Sequence, residues 1–199
     1  MIDAPYVRVD RAPSVGAAGI LVIVEVRPAT PVGYGPQAAL AHALDAAGWW
    51  IGVGDDGRAT VGMGTTAGPV SIAAGDPLEA GERVELVARI PGRAGGRLEI
   101  TVRPADAVGE SPIAARSAVI GAPLVPSPGP LLWGCRALRD RSVPEHSFVG
   151  EVGRVVVATD SAAPDDRARL AWHPVGLFVW DRVARINAAR GAAQHPVSW

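Results

Sequence analysis

Residues 48–64 read GWWIGVGDDGRATVGMG, and this stretch decides between two kinds of fold. Within it, Gly52, Gly54 and Gly57 match the G-x-G-x-x-G pattern of a dinucleotide-binding loop, which must lead from a strand into a helix. The residues that follow, RATVGMGTTAGP, are rich in glycine and threonine and end in proline, so they form a helix poorly. An Asp-Gly pair between two alternating runs instead predicts a β-hairpin, because glycine adopts the positive φ of a tight turn. We therefore predict a hairpin and no phosphate-binding loop.

The turn also predicts which residues face each other across this hairpin. A two-residue turn at Asp56-Gly57 fixes the register of both strands. Trp49 and Trp50 are neighbours on one strand, so their side chains point to opposite faces. We predict that one fills the core and that the other is exposed or covered by a partner. The expected cross-strand pairs are Asp55 with Arg58, Val53 with Thr60 and Trp50 with Met63.

Up to residue 158, the chain reads as short strands separated by many turns. It contains 24 glycines and 18 prolines, a composition that implies frequent turns and short elements. GILVIVEVRP is apolar on both faces, as expected of a central strand, whereas ERVELVARI and RLEITVRP alternate around a PGRAGG hairpin loop. Phe148 and Val152 share one face of the closing strand FVGEVGRVVVAT. The buried positions expected on the two alternating strands are Val84, Leu86, Ala88, Ile90, Leu98, Ile100 and Val102.

Composition and charge exclude several classes of function. The net charge of −1 provides no global field for nucleic acid or an anionic membrane. All 19 basic residues are arginines, which excludes Schiff-base and P-loop lysine chemistry. Cys135 is the single cysteine, so we expect no internal disulfide, a buried thiol and a cytoplasmic location. The charge-free stretch 118–135 contains four prolines, which exclude a membrane-spanning helix.

Residues 160–199 differ in character from the strands before them. DSAAPDDRARLAWHP is a polar linker, and FVWDRVARINAARG fits a short helix with Val179, Val183 and Ile186 on one stripe. We therefore divide the chain into a β-sandwich, residues 1–159, and a linker with a C-terminal extension. The sequence begins in a strand and ends at HPVSW without a polar tail, as expected of a piece of a larger protein.

The order of the strand segments resembles that of the laminin-G/concanavalin A-like jelly roll. The matching segments are YVRV, ILVIVEVRPATP, GWWIGVGDDGRATV, PLEAGERVELVARI with GRLEITVRP, and PLLWGCRA followed by FVGEVGRVVVA. They span residues 5–158, and the closing pair, PL-x-x-G and F-x-G-x-V, is the most specific part. The resemblance implies an all-β sandwich. It also favours a strand over a helix at Ala38–His42, where the local pattern fits both.

A narrower resemblance is to the sandwich domain in the large subunit of N,N-dimethylformamidase-like amidohydrolases. LAWHP (170–174), DRV (181–183) and HPVSW (195–199) are similar to segments that follow the jelly roll in that family. His173 and Pro174 depart from it, because an aromatic residue and a serine are expected there. The resemblance implies a structural or docking domain whose catalytic, iron-binding domain lies downstream. No residue of this chain matches that domain, so no catalytic residue is carried over.

Two tryptophans and two arginines are the candidates for binding a ligand or partner. Trp49 and Trp50 can dock a neighbouring domain or stack on a sugar ring. Arg136 and Arg139, in RALRDR, lie in a loop that is either simply solvated or pairs with a partner. Docking is favoured over sugar binding because the chain has a single asparagine, Asn187, and sugar sites usually rely on planar amides.

Asp140, Glu145 and His146 are the candidates for a cation site, because jelly rolls of the resembled kind hold calcium on rim loops. The plainer alternative is a solvated polar loop. Neither an E-x-D-x-(x)-E triplet nor a G-x-S-x-G motif is present, which disfavours a glycosidase or a serine hydrolase. We therefore expect a non-catalytic docking domain that binds a neighbouring domain or subunit, with a carbohydrate-binding module as the alternative.

Overall fold

The computed structural model describes residues 6–9, 15–33, 35–105, 111–139 and 143–158, and three short strands beyond residue 176. All regular secondary structure within these residues is β-strand. The described part of the chain contains no helix that is long and apolar enough to cross a membrane. The strands are β1 Val7–Val9, β2 Ile20–Pro28, β3 Gln37–Leu44, β4 Ala47–Val53, β5 Arg58–Thr65, β6 Gly68–Pro77, β7 Val84–Ile90, β8 Arg97–Pro104, β9 Ala114–Val119, β10 Leu131–Trp133, β11 Ala137–Arg139, β12 Val143–Glu145, β13 Gly150–Ala158, β14 Leu177–Trp180, β15 Ala184–Ile186 and β16 His195–Pro196.

Two large sheets form a sandwich, which confirms the all-β prediction. Sheet I has the strand order β16-β1-β10-β3-β4-β5-β6, and sheet II has the order β14-β13-β2-β7-β8-β9. Neighbouring strands are antiparallel except for the β1–β16 pair. Strands β11 and β12 form a separate hairpin. Two amphipathic sheets bury their apolar faces by packing on each other, so the alternating pattern of the sequence leads directly to this architecture.

The core lies between the two sheets and contains the side chains that alternation predicted. The expected inward positions of β7 and β8 are all buried in it, as are Phe148 and Val152. The stretch Ala38–His42 belongs to β3, so the strand prediction there is confirmed. Strand β9, which is mostly exposed at the edge of sheet II, was not predicted.

The predicted helix in the C-terminal extension is wrong for the residues that the structure describes. Leu177–Trp180 and Ala184–Ile186 are strands that pair antiparallel with β13 along the same edge. Val183, the middle residue of the predicted stripe, lies outside the described residues. The edge of β13 presents backbone N–H and C=O groups that need partners, and pairing with them overrides a weak local helical pattern.

The hairpin at residues 48–64 is confirmed, but its predicted register was wrong by one residue. Its loop holds three residues, with the N–H of Gly54 bonded to the carbonyl of Arg58 (2.8 Å) and that of Gly57 bonded to the carbonyl of Gly54 (3.0 Å). Gly57 has a φ of 80°, as in a type I turn followed by a left-handed residue. The observed pairs include Trp49 with Met63, Trp50 with Gly62, and Gly52 with Thr60.

The glycines of the G-x-G-x-x-G pattern therefore have structural roles in the hairpin. Strand β5 begins at Arg58, where a nucleotide-binding loop would need a helix. Gly52 lies beside the bulge in β3, and a Cβ there would be 2.0 Å from the carbonyl oxygen of Gln37. Gly57 provides the left-handed turn. The structure thus excludes a dinucleotide loop at this position.

We expect Gly57→Ala to lower the free energy of unfolding by about 1–2 kcal/mol, because an L-residue is strained in the left-handed region. The new Cβ would also lie 2.7 Å from Cγ2 of Val32. Urea denaturation measures the change. Gly121→Ala is the control, since nothing lies within 4 Å of a Cβ there and its φ is not in the left-handed region. Equal stability of the two variants would contradict this account of the turn.

Candidate functional site

The two neighbouring tryptophans have different environments. Trp49 is completely buried in the core between the sheets, as predicted for one of the pair, and its ring meets His42 edge to face at 6.3 Å. Trp50 lies on the other face of sheet I and is only 7% exposed. The prediction that the second tryptophan is exposed or covered by a partner is therefore wrong, because this chain buries it.

The face of sheet I around Trp50 consists of small residues. The indole packs with Ala38, Ala41 and Ala43 of β3. Across the hairpin it lies over Gly62, where a Cβ would be 2.2 Å from Nε1 of Trp50. This space exists because Gly62 has no side chain, so the glycine on β5 makes room for the indole of Trp50.

Arg136 covers the ring of Trp50. Its guanidinium carbon lies 5.4 Å from the ring centroid, within the range of a cation–π interaction. Burial lowers the pKa of Arg136, and the side chain is half-buried. No salt bridge joins Arg136 to a carboxylate among the described residues. The guanidinium is thus partly desolvated and has the aromatic ring as its compensating contact.

A surface cavity of about 180 Å³ lies beside this pair, and we name it the Trp50–Arg136 cavity. Three of the four predicted binding residues line it, and the fourth, Arg139, is in β11, where side chains are outside the described part. The remaining lining residues are mainly small or apolar. They are Ala43, Ala46, Ala47, Gly48, Met63, Gly64, Pro69, Val70 and Ser71.

The predicted cation site falls largely outside the described residues. Asp140 and the side chain of Glu145 are not described, whereas His146 is exposed with a φ of 53°. The carbonyl of His146 accepts the N–H of Ala38 (2.9 Å), so its backbone attaches this loop to sheet I. The described residues hold no group of three His, Cys, Asp or Glu side chains that could bind a metal ion. Calcium binding at this loop stays a prediction.

Two buried titratable groups are held in their neutral forms. Burial lowers the pKa of His42, an effect partly opposed by the hydrogen bond between its Nε2 and the carbonyl of Gly129 (2.9 Å). Burial raises the pKa of Cys135 to about 12. The thiol lies just beyond β10 and is completely buried, as predicted. A protonated, inaccessible thiol is no nucleophile at neutral pH.

The residues that sequence reasoning missed are two glycines of β5, Gly62 beneath Trp50 and Gly64 in the lining of the cavity. Gly62 and Gly64 are two positions apart on β5, so they share the face that Trp50 occupies across the hairpin. The sequence VGMG contained the information, because its two glycines lie on the same face of the strand. Two successive positions without a side chain on one face leave room for a large ring from the neighbouring strand. The one-residue error in register concealed it by placing Trp50 opposite Met63.

No protein-family model matches the sequence, and no curated protein matches it significantly. Solved structures do match. A heptameric SAP-like pentraxin from Limulus polyphemus is 16% identical with a TM-score of 0.57, over 93% of this chain and 90% of the pentraxin. Tailspike protein 2 of an Escherichia coli O157:H7 bacteriophage is 12% identical with a TM-score of 0.54, over 86% of this chain and 23% of the tailspike. Domains LG4-5 of the mouse laminin α1 chain are 15% identical with a TM-score of 0.49, over 87% of this chain and 45% of the laminin chain.

The likenesses to the pentraxin and the tailspike protein, at 16% and 12% identity, show the fold alone. The chain is a concanavalin A-like jelly-roll sandwich, as the order of its strand segments implied. A fold of this kind carries many unrelated functions, so function has to be argued from the site itself.

We expect Gly62→Ala to reduce the free energy of unfolding by about 1–3 kcal/mol, because the added methyl group forces the indole of Trp50 to move. In a Trp50→Ala background the same substitution should have much less effect, since the side chain it clashes with is gone. Urea denaturation of the four proteins gives the coupling energy. A coupling near zero would contradict the packing of Trp50 on Gly62.

The lowered pKa of His42 also predicts a pH dependence. The unfolded chain, with a pKa near 6.5, binds a proton more readily than the folded one. Stability contributed by neutral His42 is therefore complete above pH 6.5 and is lost as the pH falls toward the lower folded-state value. Unfolding free energies measured between pH 8 and 5 should decline less in His42→Gln than in the wild-type protein. Parallel curves would exclude His42 as the cause.

Proposed function

We propose that this chain is a non-catalytic β-sandwich that docks on a neighbouring domain or subunit through the Trp50–Arg136 cavity. The observation that carries the proposal is the guanidinium of Arg136, half-buried over Trp50 without a salt bridge to any described carboxylate. Arginine and tryptophan are the residues most enriched at the energetic centres of protein interfaces. Here they lie in contact at the edge of one cavity.

The charge of Arg136 indicates what the partner presents. Removing a charge from water is unfavourable unless an opposite charge or hydrogen bonds replace the solvent, and an aromatic face replaces only part of it. A carboxylate can accept two parallel hydrogen bonds from a guanidinium. We therefore propose that the partner inserts an Asp or Glu side chain, or a terminal carboxylate, beside Arg136.

The dimensions of the cavity favour a protein partner over a sugar. Its volume of about 180 Å³ is below the roughly 300–1,000 Å³ of small-molecule sites, and it suits one protruding side chain. Arg136 also lies over the ring of Trp50, the surface on which a pyranose would have to stack. The alternative of a carbohydrate-binding module consequently has less support.

The chemistry of the buried groups supports a non-catalytic role. Cys135 is protonated at neutral pH because of its raised pKa, and His42 is engaged with the carbonyl of Gly129. Neither is therefore available as an activated nucleophile or a proton carrier in a cavity.

The identity of the larger enzyme is a narrower proposal. We propose that the neighbour is the catalytic part of an amide hydrolase similar to N,N-dimethylformamidase. Its support consists of the segments LAWHP, DRV and HPVSW alone, which lie mostly outside the described residues. The comparisons with known proteins add nothing to this link.

Co-expression with the polypeptide encoded directly downstream tests docking. We expect the two to co-elute in size-exclusion chromatography, and we expect Arg136→Met to weaken their association at least about thirtyfold, because it leaves the partner carboxylate unpaired (about 2–5 kcal/mol). Arg58→Met is the matched control, since Arg58 is exposed and pairs only locally with Asp56. A downstream polypeptide that does not associate, or binds Arg136→Met with unchanged affinity, would refute this function.

A further inference from the structure

A second cavity, of about 260 Å³, lies at one end of sheet II. It forms where the turn before β2 meets the PGRAGG loop that connects β7 to β8, and we name it the arginine cavity. The two loops approach at backbone distance, because a Cβ on Gly92 would lie 2.0 Å from the carbonyl oxygen of Gly16. Likewise, a Cβ on Gly19 would lie 2.3 Å from the carbonyl oxygen of Ile90. The wall of the cavity is thus built from closely packed backbone.

The charged lining of this cavity is strongly positive. Arg89, Arg93 and Arg97 line it together with Glu99, so three positive charges and one negative charge leave a formal charge of +2 in a chain whose net charge is −1. Glu99 pairs with Arg89 at 3.7 Å. Arg97 donates a hydrogen bond to Oγ of Ser117 (3.2 Å), which holds its side chain on the sheet without neutralising it.

Arg93 completes the set from the loop. It is exposed, and no salt bridge joins it to a carboxylate among the described residues. Two guanidinium groups without a carboxylate partner among the described residues, Arg93 and Arg97, therefore line the same small cavity. A third, Arg89, pairs with Glu99.

We propose that the arginine cavity binds a tetrahedral oxyanion, a phosphate or sulfate group. Guanidinium groups present planar pairs of N–H donors that match the oxygens of such a group, and several donors from different directions suit its three or four acceptor oxygens. The volume of about 260 Å³ is large enough for such a group. The proposal is independent of docking, because this cavity is on sheet II and the Trp50–Arg136 cavity is on sheet I.

Isothermal titration calorimetry of the full chain with inorganic phosphate, inorganic sulfate and heparin tests this site. All titrations are made at one ionic strength, so that general screening is constant. We expect binding of at least one of these anions and a loss of at least about tenfold in affinity in the double variant Arg93→Gln/Arg97→Gln, equivalent to about 1.4 kcal/mol. The double variant Arg58→Gln/Arg154→Gln is the control, because it removes the same charge from exposed residues that do not line the cavity.

The outcomes separate the source of the anion and the two proposed sites. Heparin binding that depends on Arg93 and Arg97 indicates sulfate esters of a glycan, whereas binding of inorganic phosphate alone indicates a free phosphate or a phosphate ester. Arg136→Met should bind these anions like the wild-type protein even if docking fails. No measurable binding of any of the three, or equal losses in both double variants, would overturn the proposal.

Discussion

The left-handed conformation of Gly57 is the constraint on which the candidate site depends. It makes the hairpin loop three residues long, and that length places Trp50 opposite Gly62 and Trp49 opposite Met63. A slip of one residue in a strand exchanges its two faces, so register decides what each large side chain meets. In the observed register, Trp49 fills the core and Trp50 lies on a floor of glycine and alanine.

The sequence was sufficient for the fold because burial in a sandwich follows a period of two. That pattern identifies the inward face of β7 or β8 without knowledge of which strand lies beside it, and those positions are all buried. It failed where pairing decides instead of periodicity. AARSAV in β9 has little alternation, and β14 and β15 are strands because the edge of β13 offers them backbone partners.

The site could be predicted only in part, for a related reason. The chemistry of tryptophan and arginine made them candidates for binding, but the contact between Trp50 and Arg136 depends on distant chain segments. At the bulge in β3, the carbonyl of Ala39 accepts a hydrogen bond from the N–H of Gly134 (2.8 Å), which attaches the segment after β10 to sheet I. That segment carries Arg136 over Trp50. Neither propensity nor spacing encodes such a contact, because it arises when two parts of the chain pair with the same strand.

The arginines of the two cavities differ in their exposure to solvent, so their charges are screened by salt to different extents. Arg136 is half-buried against an aromatic ring, so salt screens its charge weakly. The docking proposed there would depend on shape and on replacing the solvation that the guanidinium has lost. Arg93 and Arg97 are exposed, so their attraction for an anion weakens as ionic strength rises. A net charge near zero therefore describes neither surface, because opposite charges elsewhere on the molecule conceal a local concentration of arginine. The two proposed interactions therefore depend on different forces: packing and desolvation for a partner on sheet I, and charge for an anion on sheet II. A substitution in one cavity should leave the other interaction unchanged.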